Sequence, residues 1–257
     1  MPVTVCTGWS PRGWLEYGKT FKRTFREFWP ESVEGEAYVE ELAAGTVRGD
    51  TSFVERSLWD CSGMSEFLQR HEHEPVANGR EFRVGHNWKH GDLAKGYSFR
   101  YDAVKFSRQC FIPETAAARL PDGDILVWLD GDVVTHSPVP SGFIEGLVGD
   151  SDGVYLGRGR KHSEIGFWAM RLGGHTRAML GALASWYRTS SVFELKEWHS
   201  AFVWDHTRRA AEANGARFAD LTPNGHDHVW HQSPLAAYTD HLKGGRKALG
   251  RSPERVR

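Results

Sequence analysis

Ile125-Leu126-Val127-Trp128-Leu129-Asp130-Gly131-Asp132 sets five apolar residues directly against two carboxylates with a glycine between them. A continuous apolar run of this length, bounded by Pro121-Asp122-Gly123-Asp124 before and the acidic turn after, is the pattern of a central strand buried on both faces. Such strands belong to sheets covered by helices, and the rest of the chain alternates accordingly. A β-branched run predicts a first strand over 3–7, then a Gly/Ser/Pro segment over 8–13. Helical spacing follows over 14–29, stopped by Pro30. Residues 37–42 read as a second strand, 52–71 as a helix, and the polar Gly- and His-rich stretch that follows as loop. Residues 97–119 read as a helix that Pro113 kinks or splits. Strands are expected over 153–156 and 166–170, and helices over 176–187 and 201–214. The expectation is an α/β fold: one domain over 1–257 with a mostly parallel central sheet flanked by helices.

Bulk composition narrows the class. The chain has 257 residues, 40% hydrophobic and 25% charged, with a net charge of -1, which excludes a wholesale basic nucleic-acid binder. No run approaches the roughly 18 apolar residues of a membrane span. Cys6, Cys61 and Cys110 are scattered and odd in number, which argues for buried thiols in a reducing compartment over a disulfide framework. A cytoplasmic protein is expected.

Ligands of open α/β sheets bind beyond the carboxyl ends of the strands, where Asp130 and Asp132 fall. Two carboxylates across a glycine turn are hard oxygen ligands suited to Mg²⁺ or Mn²⁺, with Gly131 expected to let a phosphate approach. Asp-Gly is also a common turn pair, so the turn alone does not decide between the two readings. Thr7, Gly8 and Trp9 end the first strand, where a nucleoside base packs in folds of this kind, with Tyr17 as stacking partner. Glu164 and Glu197 are the carboxylates considered for acid/base work. Glu197-Trp198-His199 joins an acid, a ring and a titratable base, and Gly166 is expected to admit a close ligand. His226, Asp227, His228 and His231 match no standard metal-ligand spacing.

At this point the residues resemble glycosyltransferases of the GT-A fold. The stretch ILVWLDGDVVTH (125–136) resembles their D-x-D region. YSFRYDAVKFSRQCF (97–111) is similar to the basic helix before it, and SEIGFWAMRL (163–172) to the strand that lines the sugar pocket. SVFELKEWHSAFVWD (191–205) resembles the segment that meets donor sugar and acceptor, and YTDHLKGGRK (238–247) the His-x-x-Gly ending. The resemblance implies a metal-dependent hexosyltransferase using a nucleotide-diphosphate sugar. It implies Asp130, Asp132 and His241 as ligands of Mn²⁺ or Mg²⁺, and Lys243, Gly244 and Arg246, with Lys247 nearby, around the diphosphate. Arg100 and Asp102 precede the metal strand, and Asp102 would meet sugar hydroxyls or pair with Lys105 or Arg108. Residues 1–135 would hold the nucleotide and 136–250 the sugar and acceptor. Ser200 stands where some retaining members carry an acidic residue, which leaves the nucleophile open.

The acceptor is not specified: a glycan, a protein side chain and a modified DNA base all fit, the last through the basic residues at 158–162 and the tail. That tail, 244–257, reads as basic and ordered by a ligand. Two other classes fit the same residues: a nucleotidyltransferase, although GWSPRGW (8–14) lacks a phosphate loop, and a catalytically silent nucleotide- or carbohydrate-binding protein.

Overall fold

The computed structural model describes residues 1–81 and 95–254. The apolar run forms strand β5 (Ile125–Leu129), every residue of it buried. It lies between β1 (Val3–Trp9), to which it is parallel, and β8 (Lys161–Arg171), to which it is antiparallel. Beyond β1 come β2 (Val33–Val39), β4 (Phe53–Ser57) and the short edge strand β3 (Val47–Gly49). Beyond β8 come β7 (Gly153–Arg158) and β9 (Phe218–Asp220). The pairs β1–β2, β1–β5, β2–β4 and β7–β9 are parallel, and β3–β4, β5–β8 and β7–β8 antiparallel, so the eight-stranded sheet is mixed with a parallel majority.

Strand periodicity divides the core in two. Ile125, Val127 and Leu129 face one layer with Phe21, Phe25 and Trp230; Leu126 and Trp128 face the other with Phe111, Leu183 and Trp204. Helix Lys19–Phe28 covers the first face. Helices Met64–His71, Arg108–Ala117, Gly174–Arg188 and Ser200–Ala213 cover the second. The result is a single α/β domain with helices on both sides of the sheet. Cys6, Cys61 and Cys110 are free thiols inside it, and burial pushes all three thiol pKa values up. No helix among the described residues is long and apolar enough to cross a membrane.

Several expected boundaries move. The helix expected over 52–71 is strand β4 followed by helix Met64–His71. Phe53, Glu55 and Ser57 are buried and alternate with half-buried Val54 and Arg56, a period of two that outweighs helical propensity. The loop expected after residue 71 extends partly outside the described residues. The helix expected over 97–119 divides into turns Phe99–Tyr101 and Ala103–Phe106 and helix Arg108–Ala117. Pro113 sits inside that last helix, so the break comes earlier, at Asp102, whose side chain caps the next turn by accepting from the Lys105 amide. In the tail Arg246–Leu249 forms a short helix and Ser252 is buried and bonded to Asp240, while the residues from Lys247 to Arg251 are exposed.

Two strands stand apart from the sheet. β6 (Val133–Thr135) follows the acidic turn and pairs antiparallel with β10 (Thr239–His241), with His241 opposite Val133. This ribbon brings the C-terminal segment to the end of β5.

Candidate active site

A cleft of about 650 Å³ opens at the carboxyl ends of β1 and β5. Asp130 and Asp132 lie in it, with Gly131 between them. Asp130 Oδ1 accepts hydrogen bonds from Trp128 Nε1 and Gln109 Nε2, both 2.8 Å. Its Oδ2 lies 3.4 Å from His241 Nε2. Asp132 Oδ1 is 3.0 Å from the same nitrogen, and its Oδ2 is 3.0 Å from Lys247 Nζ. One ligand atom from each of Asp130, Asp132 and His241 falls within 4.8 Å of the others.

The electrostatics are those of a site built for positive charge. Burial opposes ionisation of Asp132, but His241 and Lys247 hold its carboxyl well below the usual range. Burial also opposes a charged His241, yet Asp132 and Asp130 push the imidazole up to about 9. His241 Nδ1 is buried without a hydrogen bond, 3.8 Å from Glu164 Oε1. Two carboxylates and an imidazole turned toward them by Nε2, with a further carboxylate behind the other ring nitrogen, form a donor set that fits Mn²⁺.

The two glycines beside this set are filled positions. A Cβ on Gly166 would lie 2.4 Å from His241 Cε1 and 2.8 Å from its Nδ1; a Cβ on Gly131 would lie 3.0 Å from Tyr17 Cε2 and 3.2 Å from the Gly8 carbonyl. The space the sequence reading gave to a ligand at Gly166 holds the histidine ring, and that at Gly131 holds Tyr17. Tyr17 lines the cleft with Lys247 Nζ 4.6 Å from its ring centroid; burial and the nearby Asp132 push its hydroxyl up to about 12.

Lys243 and Gly244 line the cleft as well, and Gly244 adopts a positive φ of 57° that favours glycine. Lys243 Nζ bonds both oxygens of buried Glu164, at 2.6 and 2.7 Å. Burial would raise the Glu164 pKa, but Lys243 and His241 bring it down to about 2. Arg246 turns to Glu254 and does not line the cleft, whereas its neighbour Lys247 does.

On the opposite wall His199 Nε2 is 2.9 Å from Glu197 Oε2, and burial lowers the His199 pKa. His162 Nε2 reaches the same carboxylate oxygen at 3.4 Å, and its Nδ1 lies 3.7 Å from Asp205. Asp205 and Glu197 push His162 up to about 9. Arg100 lies behind this wall, its NH1 3.7 Å from Glu197 Oε1 and its carbonyl accepting from the Trp198 and His199 amides. Asp102 lines the cleft, but its carboxylate accepts from the Lys105 amide and the Tyr97 hydroxyl, both 2.9 Å. Neither the Lys105 nor the Arg108 side chain takes the pairing foreseen for it: Arg108 bonds Glu40. At the end of β1 Gly8 and Trp9 line the cleft, while Thr7 is fully buried behind it. The Trp9 ring stacks on Phe53, so most of it belongs to the core.

No family model matches the chain, and no curated protein matches it. Among solved structures, apo mouse xyloside xylosyltransferase 1 is similar at 8% identity and a TM-score of 0.42, over 85% of this chain and 84% of that one. Galactosyltransferase LgtC, in complex with donor and acceptor sugar analogs, is similar at 11% identity and a TM-score of 0.38, over 84% of this chain and 73% of that one. Identities and scores this low leave the chemistry to be read from the cleft itself.

Gln109 and Trp128 were not foreseen as part of the site. Trp128 precedes Asp130 by two residues, the spacing that puts both on one face of an extended strand. Gln109 carried no such signal. Its amide is oriented by Ser200, whose hydroxyl donates to Gln109 Oε1, so Ser200 reaches the site through that residue.

Proposed function

We propose that this protein is a GT-A-like, metal-dependent glycosyltransferase that takes a nucleotide-diphosphate sugar as donor. The observation that carries the reading is that Asp130 and Asp132, in the cleft, meet the buried His241, with Lys243 and Lys247 lining the cleft from the segment just past it. Asp130, Asp132 and His241 would hold Mn²⁺ or Mg²⁺, and the bound cation would act as a Lewis acid on the diphosphate. In the reaction an acceptor hydroxyl bonds to the anomeric carbon as the bond from that carbon to the diphosphate oxygen breaks. Lys243 and Lys247 exchange their carboxylate partners for the departing diphosphate and offset its growing charge. Glu164 is a positioning residue: it holds Lys243 and stands behind His241. With Nε2–H donated to Glu197, His199 keeps a lone pair on Nδ1 and takes the acceptor's proton. Gly8, Trp9 and Tyr17 serve the nucleotide end, within 1–135, and the His199 wall serves sugar and acceptor, within 136–250.

The test is hydrolysis of UDP- and GDP-sugars with added Mn²⁺, followed by nucleotide release. Turnover of at least one donor is expected, and its loss in Asp132→Ala. No release from any donor together with no Mn²⁺ binding would sink the proposal. Mass-spectrometric detection of products then separates glycan, protein and modified-DNA acceptors.

A further inference from the structure

We infer that His228, His231 and Asp240 form a second metal site, of the zinc type, beside β10, with the His228 ring centroid 6.4 Å from that of His241. One ligand atom from each lies within 4.8 Å of the others. The turn Val229–Gln232 carries His231 and is preceded by His228, so the two histidines stand three residues apart, their ring centroids 4.9 Å from each other. Successive strand residues face opposite ways, so Asp240 and His241 leave opposite faces of β10. Their place in the fold, beyond what their spacing along the chain reveals, makes the set.

Three features point to a cation. His228 Nε2 and His231 Nε2 are both buried and without a hydrogen-bond partner among the described residues, a costly state for two imidazoles in one place. His231 Nε2 lies 3.5 Å from Asp240 Oδ1, short of hydrogen-bonding geometry yet facing the carboxylate. Asp240 is in turn fixed by Ser252, whose amide and hydroxyl donate to its two oxygens at 2.7 and 2.6 Å. An oriented carboxylate with its hydrogen bonds supplied from outside is the usual outer support of a ligand. Nearby Arg246 is held by Glu254. Two imidazoles and one carboxylate suit Zn²⁺, with water as a fourth ligand. Neighbouring ligand atoms around a tetrahedral ion stand about 3.3 Å apart for bonds of about 2.0 Å. Side-chain rotation closes the difference.

The site would brace the segment between Asp240 and Ser252, which carries Lys243, Gly244 and Lys247 into the cleft. It stands independently of the reaction proposed above. Its test is zinc content by mass spectrometry after dialysis of the full chain against micromolar free Zn²⁺, together with the visible spectrum of the Co²⁺-substituted protein. The expected result is about one zinc per chain in the unaltered protein and in Asp132→Ala, at least a tenfold weaker affinity in His228→Ala and His231→Ala, and four-coordinate Co²⁺ absorption in the unaltered chain. Zinc that leaves with Asp132→Ala and stays with His228→Ala and His231→Ala would overturn the proposal. An unaltered chain that retains no zinc and shows only six-coordinate Co²⁺ absorption would do the same without reliance on any variant.

Discussion

Replacing Gly166 by alanine adds a single methyl group at the back of His241. Its carbon would sit 2.4 Å from His241 Cε1, 2.8 Å from Nδ1 and 3.2 Å from Asp130 Oδ2. A comfortable contact is about 3.4 Å or more, so the ring must withdraw by about 1 Å. It has little room: His241 is 0% exposed and Trp230 stands 4.8 Å from it, centroid to centroid. Overpacking of this kind costs about 1–3 kcal/mol of stability. A 1 Å shift also spoils the alignment of Nε2 with Asp130 and Asp132, for which a loss of Mn²⁺ affinity on the order of 10–100-fold is expected. Isothermal titration with Mn²⁺ measures the second effect and urea unfolding the first. Gly146→Ala is the control, since nothing lies within 4 Å of its added carbon and it sits in helix Phe143–Val148. Wild-type Mn²⁺ affinity in Gly166→Ala would refute the idea that this glycine exists to seat the histidine.

Gln109→Leu removes one of the two donors that fix Asp130 Oδ1, and Mn²⁺ affinity should fall about tenfold with little change in melting temperature; an unchanged titration would remove Gln109 from the site. His199→Gln should lower kcat for transfer at least 100-fold while leaving the donor KM close to wild type, as measured by initial rates. For His162, the folded pKa near 9 exceeds the ordinary 6.5, so its stabilisation is complete below pH 6.5 and fades as pH rises through 9. His162→Gln should therefore lose more stability at pH 6 than at pH 10 in urea melts, and an equal loss at both would contradict the ion pairs drawn here.

What the sequence disclosed follows physical range. β5 was legible to the residue, because five buried neighbours leave an unbroken apolar run and the acidic turn ends it. The helices Gly174–Arg188 and Ser200–Ala213 were legible within two residues for the same reason: one apolar face each. β4 was misread as helix because two of its five residues are charged, and only distant partners explain where they go: Lys22 and Arg48 hold Glu55, and Glu36 of β2 holds Arg56. His241 came from resemblance to a known ending, since nothing local marks a histidine whose partner lies 109 positions away. Arg246 and Lys247 are adjacent and equally basic; which one enters the cleft depends on the short helix Arg246–Leu249 that carries them. Gly166 was expected to admit a close ligand, but what approaches it is the protein's own His241 side chain.

The β6–β10 ribbon has a consequence for biosynthesis. Seven of the eight strands of the main sheet, and the helices that cover them, are complete by residue 213, whereas His241 follows on β10. On a ribosome the core could close while Asp130 and Asp132 still faced water. A nascent chain would thus close its core first, and the cluster of Asp130, Asp132 and His241 would be assembled only after β10 had emerged.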